Sequence, residues 1–329
     1  MRSANPQNQS LLFGDYVYSR LIPKDHLLRR MIEAVDFSFI EEETCDLYSL
    51  IGRPGWSPVM LFKCCLVAFL YDISDRTLEE QINYNIVFKW FVGLDLDQKS
   101  PDHSTMTRFR DRLGAEGFAR IFNRIVEMAR AKKLINDRLT IIDSTHVIAK
   151  VDIARLGKFK DGDDDHTYVD RNSPDSDARF GRKSKKKGFY GYKDHMAMDA
   201  DSKIITAVET TPGNVPDGEV LPKLITGKPK SVTADKAYDA LPNYQCLAQH
   251  KIKSAIIPVD RSPGRPPKAE KERPKVEGKF GELKRLHGKS RCRWLGLMKT
   301  RIQALLTSSA VNLKRLTLMI APPTVEYSA

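Results

Sequence analysis

The sequence predicts a mixed helix-and-sheet protein of the α+β or α/β class, with helices first, strands in the middle and helices again at the end. Apolar residues recur at helical spacing up to Lys133 and again from about residue 275. Between Leu134 and Val259 the apolar runs are instead short and separated by turn or polar segments.

Ser57-Pro58 opens the apolar run that ends at Tyr71, with a hydroxyl residue in the capping place and Pro in the first turn. "SDRTLEEQINYN" supplies the next helix start, and the aromatic "IVFKWFVGL" follows it. In "PDHSTMTRFRDRLG", Asp102 or Ser104 can cap a short helix that carries Arg108, Arg110 and Arg112, and Gly114 ends it. From Ala115 to Lys133, residues Phe118, Ile121, Phe122, Ile125 and Met128 again repeat at helical spacing.

After Leu134 the period changes. "LTIIDSTHV", "GFYGYKDHMAMDA", "KIITAVETT", "SVTADKAYD" and "SAIIPV" read as strands, the first with a buried run, Leu139 to Ile142, that ends on Asp143. "DGDDDHTYVDRNSPDSDARFGRKSKKK" reads as a surface insertion, and the proline-rich "DRSPGRPPKAEKERP" as a second, mobile one. Two helices are expected beyond it, Lys275 to His287 and Trp294 to about Met319. This divides the chain into a helical domain over 1–135, a second domain over 136–320 and a tail over 321–329.

The net charge of +12 is concentrated. Residues 261–301 hold 14 Lys/Arg against 4 Asp/Glu, residues 179–193 hold 7 against none, and the rest of the chain is mildly acidic. Two such tracts point to a polyanion, since neutralising phosphates with counterion release is the main sequence-independent source of nucleic-acid affinity. The longest apolar stretch, Val59 to Tyr71, is interrupted by Lys63 and falls short of the ~20 residues of a membrane helix. "MRSANPQNQS" has no apolar signal core, so a cytoplasmic protein without membrane contact is expected. The five cysteines lack the paired spacing of a zinc site or a disulfide framework and are expected to be reduced and mostly buried.

The carboxylates carry the chemistry. Asp143 and Asp235 each follow a short β-type run, and Glu277 lies early in a helix whose Val276, Phe280 and Leu283 form a core-facing stripe. Glu277 is about 100° round from that stripe, at the edge of the buried face. Two Asp at strand ends and a Glu on a helix can hold a pair of hard divalent cations, which want oxygen ligands and keep positions open for water and phosphate. Taken singly, each acid is equally a turn, cap or surface residue.

At these residues the sequence resembles the DDE transposases of bacterial insertion sequences, in the group with an InsH-like N-terminal domain. The resemblance runs from about residue 10 to 318. "GRPGWSPVMLFKCCLVAFLYDISDRTLEEQINYNIVFKWFVGL" and "DHSTMTRFRDRL" are similar to that N-terminal domain. "IIDSTHV", "GFYGYKDHMAMD", "TTPGNVPDGEVL", "TADKAYD" and "VEGKFGELKRLHG" follow in the family's order. The resemblance implies an RNase H-like core with Asp143 on the first strand, Asp235 after the fourth and Glu277 on a following helix, the three holding Mg²⁺, with Mn²⁺ able to substitute. It implies binding of terminal inverted repeats, metal-dependent phosphodiester cleavage at the element's ends, and joining of the freed 3′-hydroxyl to target DNA. The partner is then double-stranded DNA, the synaptic complex at least a homodimer, and the setting the bacterial cytoplasm at the nucleoid. Of the family's C-terminal signature, Arg273, Glu277 and Lys284 match, whereas Glu270 stands where a Tyr is expected.

By the same resemblance Arg273 and Lys284 contact phosphate near the cut, and Arg108, Arg110 and Arg112 read the terminal repeats from a helix-turn-helix-like element. Intrahelical pairing, for example with Asp111, competes for the last three. Lys193, which alternates with Tyr192 and Asp194 and shares a face with His195, is a further DNA contact. His146 either hydrogen-bonds near the site or is a core histidine, and Tyr238 either stacks on a base or packs in the core. An RNase H-like nuclease or resolvase without strand transfer, and a decayed DNA-binding remnant, are the competing functions.

Overall fold

The structure, a computed structural model, describes residues 12–47, 55–156, 165–184, 187–259 and 271–322. The chain divides into one unit within residues 1–127 and 309–329 and another within 128–308.

The first unit is helical: α1 (Leu12–Leu21), α2 (Leu27–Ala34), α3 (Phe39–Thr44), α4 (Pro58–Leu70), α5 (Asp75–Tyr84), α6 (Ile86–Val92) and most of α7 (His103–Ala131). α4 is buried continuously from Met60 to Leu70. It tolerates Lys63 because the ammonium lies 5.2 and 5.7 Å from the ring centroids of Phe37 and Phe91. Ser57 occupies the N-cap of α4, but its hydroxyl makes no capping bond. Ser74 and Asn85 do cap α5 and α6, accepting from Thr77 N and from Val87 N and Phe88 N. Asp102 Oδ1 accepts from Thr105 N at 2.9 Å, and Gly114 (φ 64°) breaks α7 in two, as its sequence predicts.

The second unit is built on a six-stranded mixed sheet: β1 (Thr140–Ile148), β2 (Arg179–Ser184), β3 (Lys187–Asp199), β4 (Ile205–Pro212), β5 (Ser231–Ala234) and β6 (Lys253–Ser254). The order is β2-β3-β1-β5-β6, with β4 also on β3. β3 is long enough to pair antiparallel with β2 along Lys187–Gly191 and with β4 along Tyr192–Met198. β1 runs antiparallel to β3, parallel to β5, and β5 parallel to β6. Helices α8 (Asp165–Asn172), α9 (Leu221–Leu224), α10 (Leu241–Gln249), α11 (Pro274–Leu286) and α12 (Leu297–Ile320) complete the set, α12 being divided at Ser309 between the units. One core cluster joins Ile142, Ala197, Val220, Leu221, Val232, Ala234 and Tyr238; a second joins Val147, Val169, Ala178, Tyr190, Tyr192 and Cys292.

Three expectations are corrected. β1 does not end at Asp143 but continues to Ile148, because β3 pairs with it along its whole length. The stretch from Asp161 to Lys187 is not simply a surface insertion: it contains α8 and β2, with Val169, Asp175 and Ala178 buried, since Asp175 Oδ1 accepts from Ala178 N and the Tyr192 hydroxyl. The last helix starts at Leu297, not Trp294. Most of the proline-rich stretch, with Glu270, lies outside the described residues. All five cysteines are free, three of them buried. Among the described residues no helix is long and apolar enough to cross a membrane.

Gly191 marks the handover from β2 to β4 along β3. Its φ is 152°, and a Cβ there would lie 2.2 Å from Val147 O and 2.6 Å from Ala149 N. Both strands are laddered at this point, so neither can retreat. Gly191→Ala is expected to destabilise the second unit by roughly 3 kcal/mol, seen as a lowered thermal midpoint; an unchanged midpoint would mean that β1 and β3 can separate here.

Candidate active site

The register of the sheet brings two aspartates together. β5 pairs with β1 only over Thr140↔Val232, Ile141↔Thr233 and Ile142↔Ala234. The next residues in step are Asp143 and Asp235, where β5 ends and β1 goes on. Parallel neighbours run ~4.8 Å apart, so the two carboxylates leave the sheet side by side. Asp143 lies on the face opposite Ile142, because neighbours along a strand alternate.

α11 packs on β1 and brings a cation to this pair. Arg273, at its N-cap, puts Nη2 3.5 Å from Oδ2 of Asp143 and 3.5 Å from Oδ2 of Asp235. Its Nε is buried and has no hydrogen-bond partner among the described residues. Oδ1 of Asp143 accepts from Ser144 N at 2.8 Å. Val276, Phe280 and Leu283 are buried, as the stripe predicts, but Glu277 is exposed rather than at the edge of the core. Its face of the helix carries Gly278 and Gly281, where a Cβ would meet nothing within 4 Å among the described residues. Glu277 still lies near enough to raise the Asp143 pKa. Lys284, two turns on, is partly buried.

On the other face of β1, Ser144 donates through Oγ to Oδ2 of Asp217 at 2.7 Å. Lys193 is engaged here rather than open to a ligand: Nζ donates to Oδ1 of Asp217 at 2.8 Å and to Val215 O at 2.9 Å. His195 is fully buried, with Nε2 2.9 Å from the Thr211 hydroxyl and Nδ1 3.5 Å from that of Tyr238. Burial outweighs the neighbouring Asp217 and Asp194 and lowers the His195 pKa to about 4, so the imidazole is neutral. Tyr238 is fully buried in the core cluster. His146 is half-buried with its ring 5.1 Å from that of Phe189. Asp217 was not singled out from the sequence: in "NVPDGEV" its neighbours are turn formers, and only the structure shows what its carboxylate meets.

In the first unit the three arginines differ. Arg108 is exposed, with Nη2 on the Ser104 hydroxyl at 2.9 Å, and Arg112 is exposed as well. Arg110 is buried and bidentate on Asp75, at 3.0 and 2.5 Å, in the first turn of α5. Arg110 is therefore engaged by a carboxylate on another helix, in a charge-assisted pair.

Asp143 and Asp235 suit a hard divalent ion by their oxygen donors, and the guanidinium between them shows that the pair accommodates a cation. Glu277 does not complete a three-ligand set: no group of three or more His, Cys, Asp or Glu among the described residues could hold a metal as placed. Burial is the largest influence on Asp143 and raises its pKa from 3.8 to about 6, against the Ser144 amide and Arg273, which lower it; Asp235 and Glu277 raise it further. A carboxyl raised in this way favours folding most fully below its unfolded value, and that contribution is lost as pH climbs through the folded value. In chelator, Asp143→Asn should therefore match the wild type below about pH 4 and exceed it above about pH 6 by on the order of 2–3 kcal/mol. Thermal melts across that window check this, and a gap that does not change with pH would exclude the raised pKa.

The transposase domain family (DUF772) matches residues 16–112, and the transposase DDE domain family matches residues 136–313. Among solved structures, a piggyBac transposase seen by cryo-EM in a synaptic complex with hairpin DNA aligns at 14% identity with a TM-score of 0.27. That alignment covers 74% of this chain and 50% of the other, so this chain spans about half the length of the piggyBac protein. The DDE-domain match takes in Asp143, Asp235, Arg273, Glu277 and Lys284 and by itself covers more than half of the residues, and with the helical transposase domain ahead of it, the chain belongs to the DDE transposase family.

Proposed function

We propose that this chain is a DNA transposase of the insertion-sequence type, whose second unit is an RNase H-like catalytic domain that cleaves the element's ends and joins the freed 3′-hydroxyl to target DNA. The observation that carries this is the pairing of Asp143 with Asp235 around Arg273 at the end of the β1–β5 ladder. Asp143 is on the first strand and Glu277 on a later helix, in the chain order the family resemblance implies, while Asp235 follows the fifth strand and not the fourth, because β2 forms within the stretch read as an insertion.

A divalent ion, Mg²⁺ or Mn²⁺, would be held by Asp143 and Asp235, with Glu277 the third carboxylate, and would supply charge neutralisation and activation of the attacking oxygen. Arg273 offers a planar fork whose Nε has no hydrogen-bond partner among the described residues, which suits a phosphate next to the carboxylates. Lys284 adds a second positive charge along the same helix. Among the described residues nothing lies within 4 Å of a Cβ at Gly278 or Gly281, which supports a sugar-phosphate backbone passing beside Glu277. Arg108 and Arg112 are the candidates for terminal-repeat contact in the first unit. The partner is double-stranded DNA at the nucleoid in the cytoplasm, and bringing two ends together calls for at least a homodimer.

With the DNA flanking the reading frame as substrate, Asp143→Ala, Asp235→Ala and Glu277→Ala should each reduce Mg²⁺-dependent 3′-end cleavage to background while leaving end binding intact. Cleavage that survives one of these removes that residue from the site, and cleavage without joining of a pre-cut end would make the protein a nuclease. Arg108→Ala and Arg112→Ala should each weaken end binding and reduce its salt slope by about 1 without lowering the melting temperature. Arg110→Ala should instead destabilise the first unit by about 3–5 kcal/mol, because Asp75 loses a buried partner; the opposite pattern in melts and binding isotherms would return Arg110 to the DNA.

A further inference from the structure

Behind the two aspartates lies a polar cluster that the reaction outlined above does not use. It gathers side chains from four segments: Ser144 on β1, Lys193 and His195 on β3, Asp217 in a short turn after β4, and Tyr238 in the turn after β5. Asp217 is its hub, accepting from Ser144 Oγ at 2.7 Å and from Lys193 Nζ at 2.8 Å. Lys193 ties the hub to Val215 O at 2.9 Å, and so fixes the segment that carries Asp217.

The cluster grips the backbone on both sides of the aspartate pair. Ser144 follows Asp143 directly, and its own N–H donates to the Asp143 carboxylate at 2.8 Å, so a Ser144 held through its hydroxyl holds that amide in place. Tyr238 N donates to Asp235 O at 2.9 Å, closing the turn after the second aspartate. The two turns abut: a Cβ on Gly218 would come within 3.1 Å of Ala237 O. Asn243 locks the second turn from behind, with Nδ2 on Tyr238 O at 2.8 Å.

A partly buried Lys–Asp pair is a poor stabiliser compared with apolar packing, and apolar packing is at hand in Ile142, Ala197, Val220 and Leu221. What the ion pair supplies and packing does not is direction. We propose that Asp217, with Lys193, is a positioning residue that sets the orientation of the Asp143 carboxylate through Ser144, and its spacing from Asp235 through the abutting turns, and thereby sets the affinity of the aspartate pair for a divalent cation. This rests on the metal-dependent reading of the Asp143–Asp235 site.

The test titrates Mn²⁺ into wild-type protein, Asp217→Asn and Ser144→Ala with two readouts: end cleavage on the flanking DNA, and the Mn²⁺-induced rise in melting temperature without DNA. Loss of a group that orients a metal ligand typically costs 10–100-fold in metal affinity. The half-saturating Mn²⁺ concentration is expected to rise about tenfold or more in Asp217→Asn, and by less in Ser144→Ala, with the saturating cleavage rate retained and the melting curves displaced by the same factor. Half-saturation at the wild-type concentration in both variants would overturn the proposal. So would a lost cleavage rate with the melting titration unmoved. If Asp217→Asn does not fold, Ser144→Ala, which removes one hydroxyl, decides alone. Asp143→Ala tests the underlying reading separately: a Mn²⁺ shift that persists there means the metal is elsewhere, whatever the Asp217 variants do.

Discussion

The parallel pairing of β1 with β5 stops after Ile142 and Ala234, and the site depends on that stop. Short of it, Ile142, Val232 and Ala234 are buried in one apolar cluster, which makes the register costly to shift, because a slip by one residue would turn the polar face of β1 into the core. Past it, β1 keeps β3 on one side and loses β5 on the other, so Asp143 has an open flank. Burial is the main cost for the Asp143 carboxylate, and repulsion from Asp235 and Glu277 adds to it, which raises its pKa to about 6. Arg273 offsets part of this, at 3.5 Å from each carboxylate, a distance looser than a good charge-assisted bond.

The helix that brings Arg273 is itself tied to the sheet at its far end. Beyond α11, Lys289 reaches Asp194 on β3 at 2.7 Å, both side chains almost wholly buried, and Asp194 also accepts from the Thr210 hydroxyl. Such a buried pair contributes little net stability but is expensive to break from one side, so it fixes where the end of α11 can lie. The sheet thus carries a polar tie on each face near the aspartates: Asp194–Lys289 on the α11 side and Lys193–Asp217–Ser144 on the other. Alternation along β3 puts these two ties, on adjacent residues, on opposite faces.

Much of this protein was legible in the sequence because much of it is local. Helix starts at Pro58, Asp75 and Ile86, the break at Gly114, and the core stripe Val276, Phe280 and Leu283 all follow from capping, backbone freedom and periodicity within a few residues. The change from helices to strands after Leu134 was readable for the same reason, as was the end of β5 before Asp235. The length of β1 was not: its outer half, Asp143 to His146, is polar, and it is a strand because β3 pairs with it from fifty residues away. α8 and β2 were likewise hidden in a polar stretch whose order comes from the buried Asp175 and its bonds to Ala178 and Tyr192.

Among the candidate site residues, the sequence could say which side chains had the right chemistry but not what each would meet. Arg108, Arg110 and Arg112 look alike at helical spacing, yet one is buried on Asp75, thirty-five residues earlier. Lys193 is a cation in a basic tract by sequence and the partner of Asp217 in the structure. Residue type, charge and period, which act over one or two turns of chain, determined the elements and the inventory of acids and bases. The register of β1 against β5 and β3, a matter of long-range hydrogen bonding and burial, alone decided that Asp143 and Asp235 stand side by side, that Arg273 lies between them, and that Asp217 stands behind.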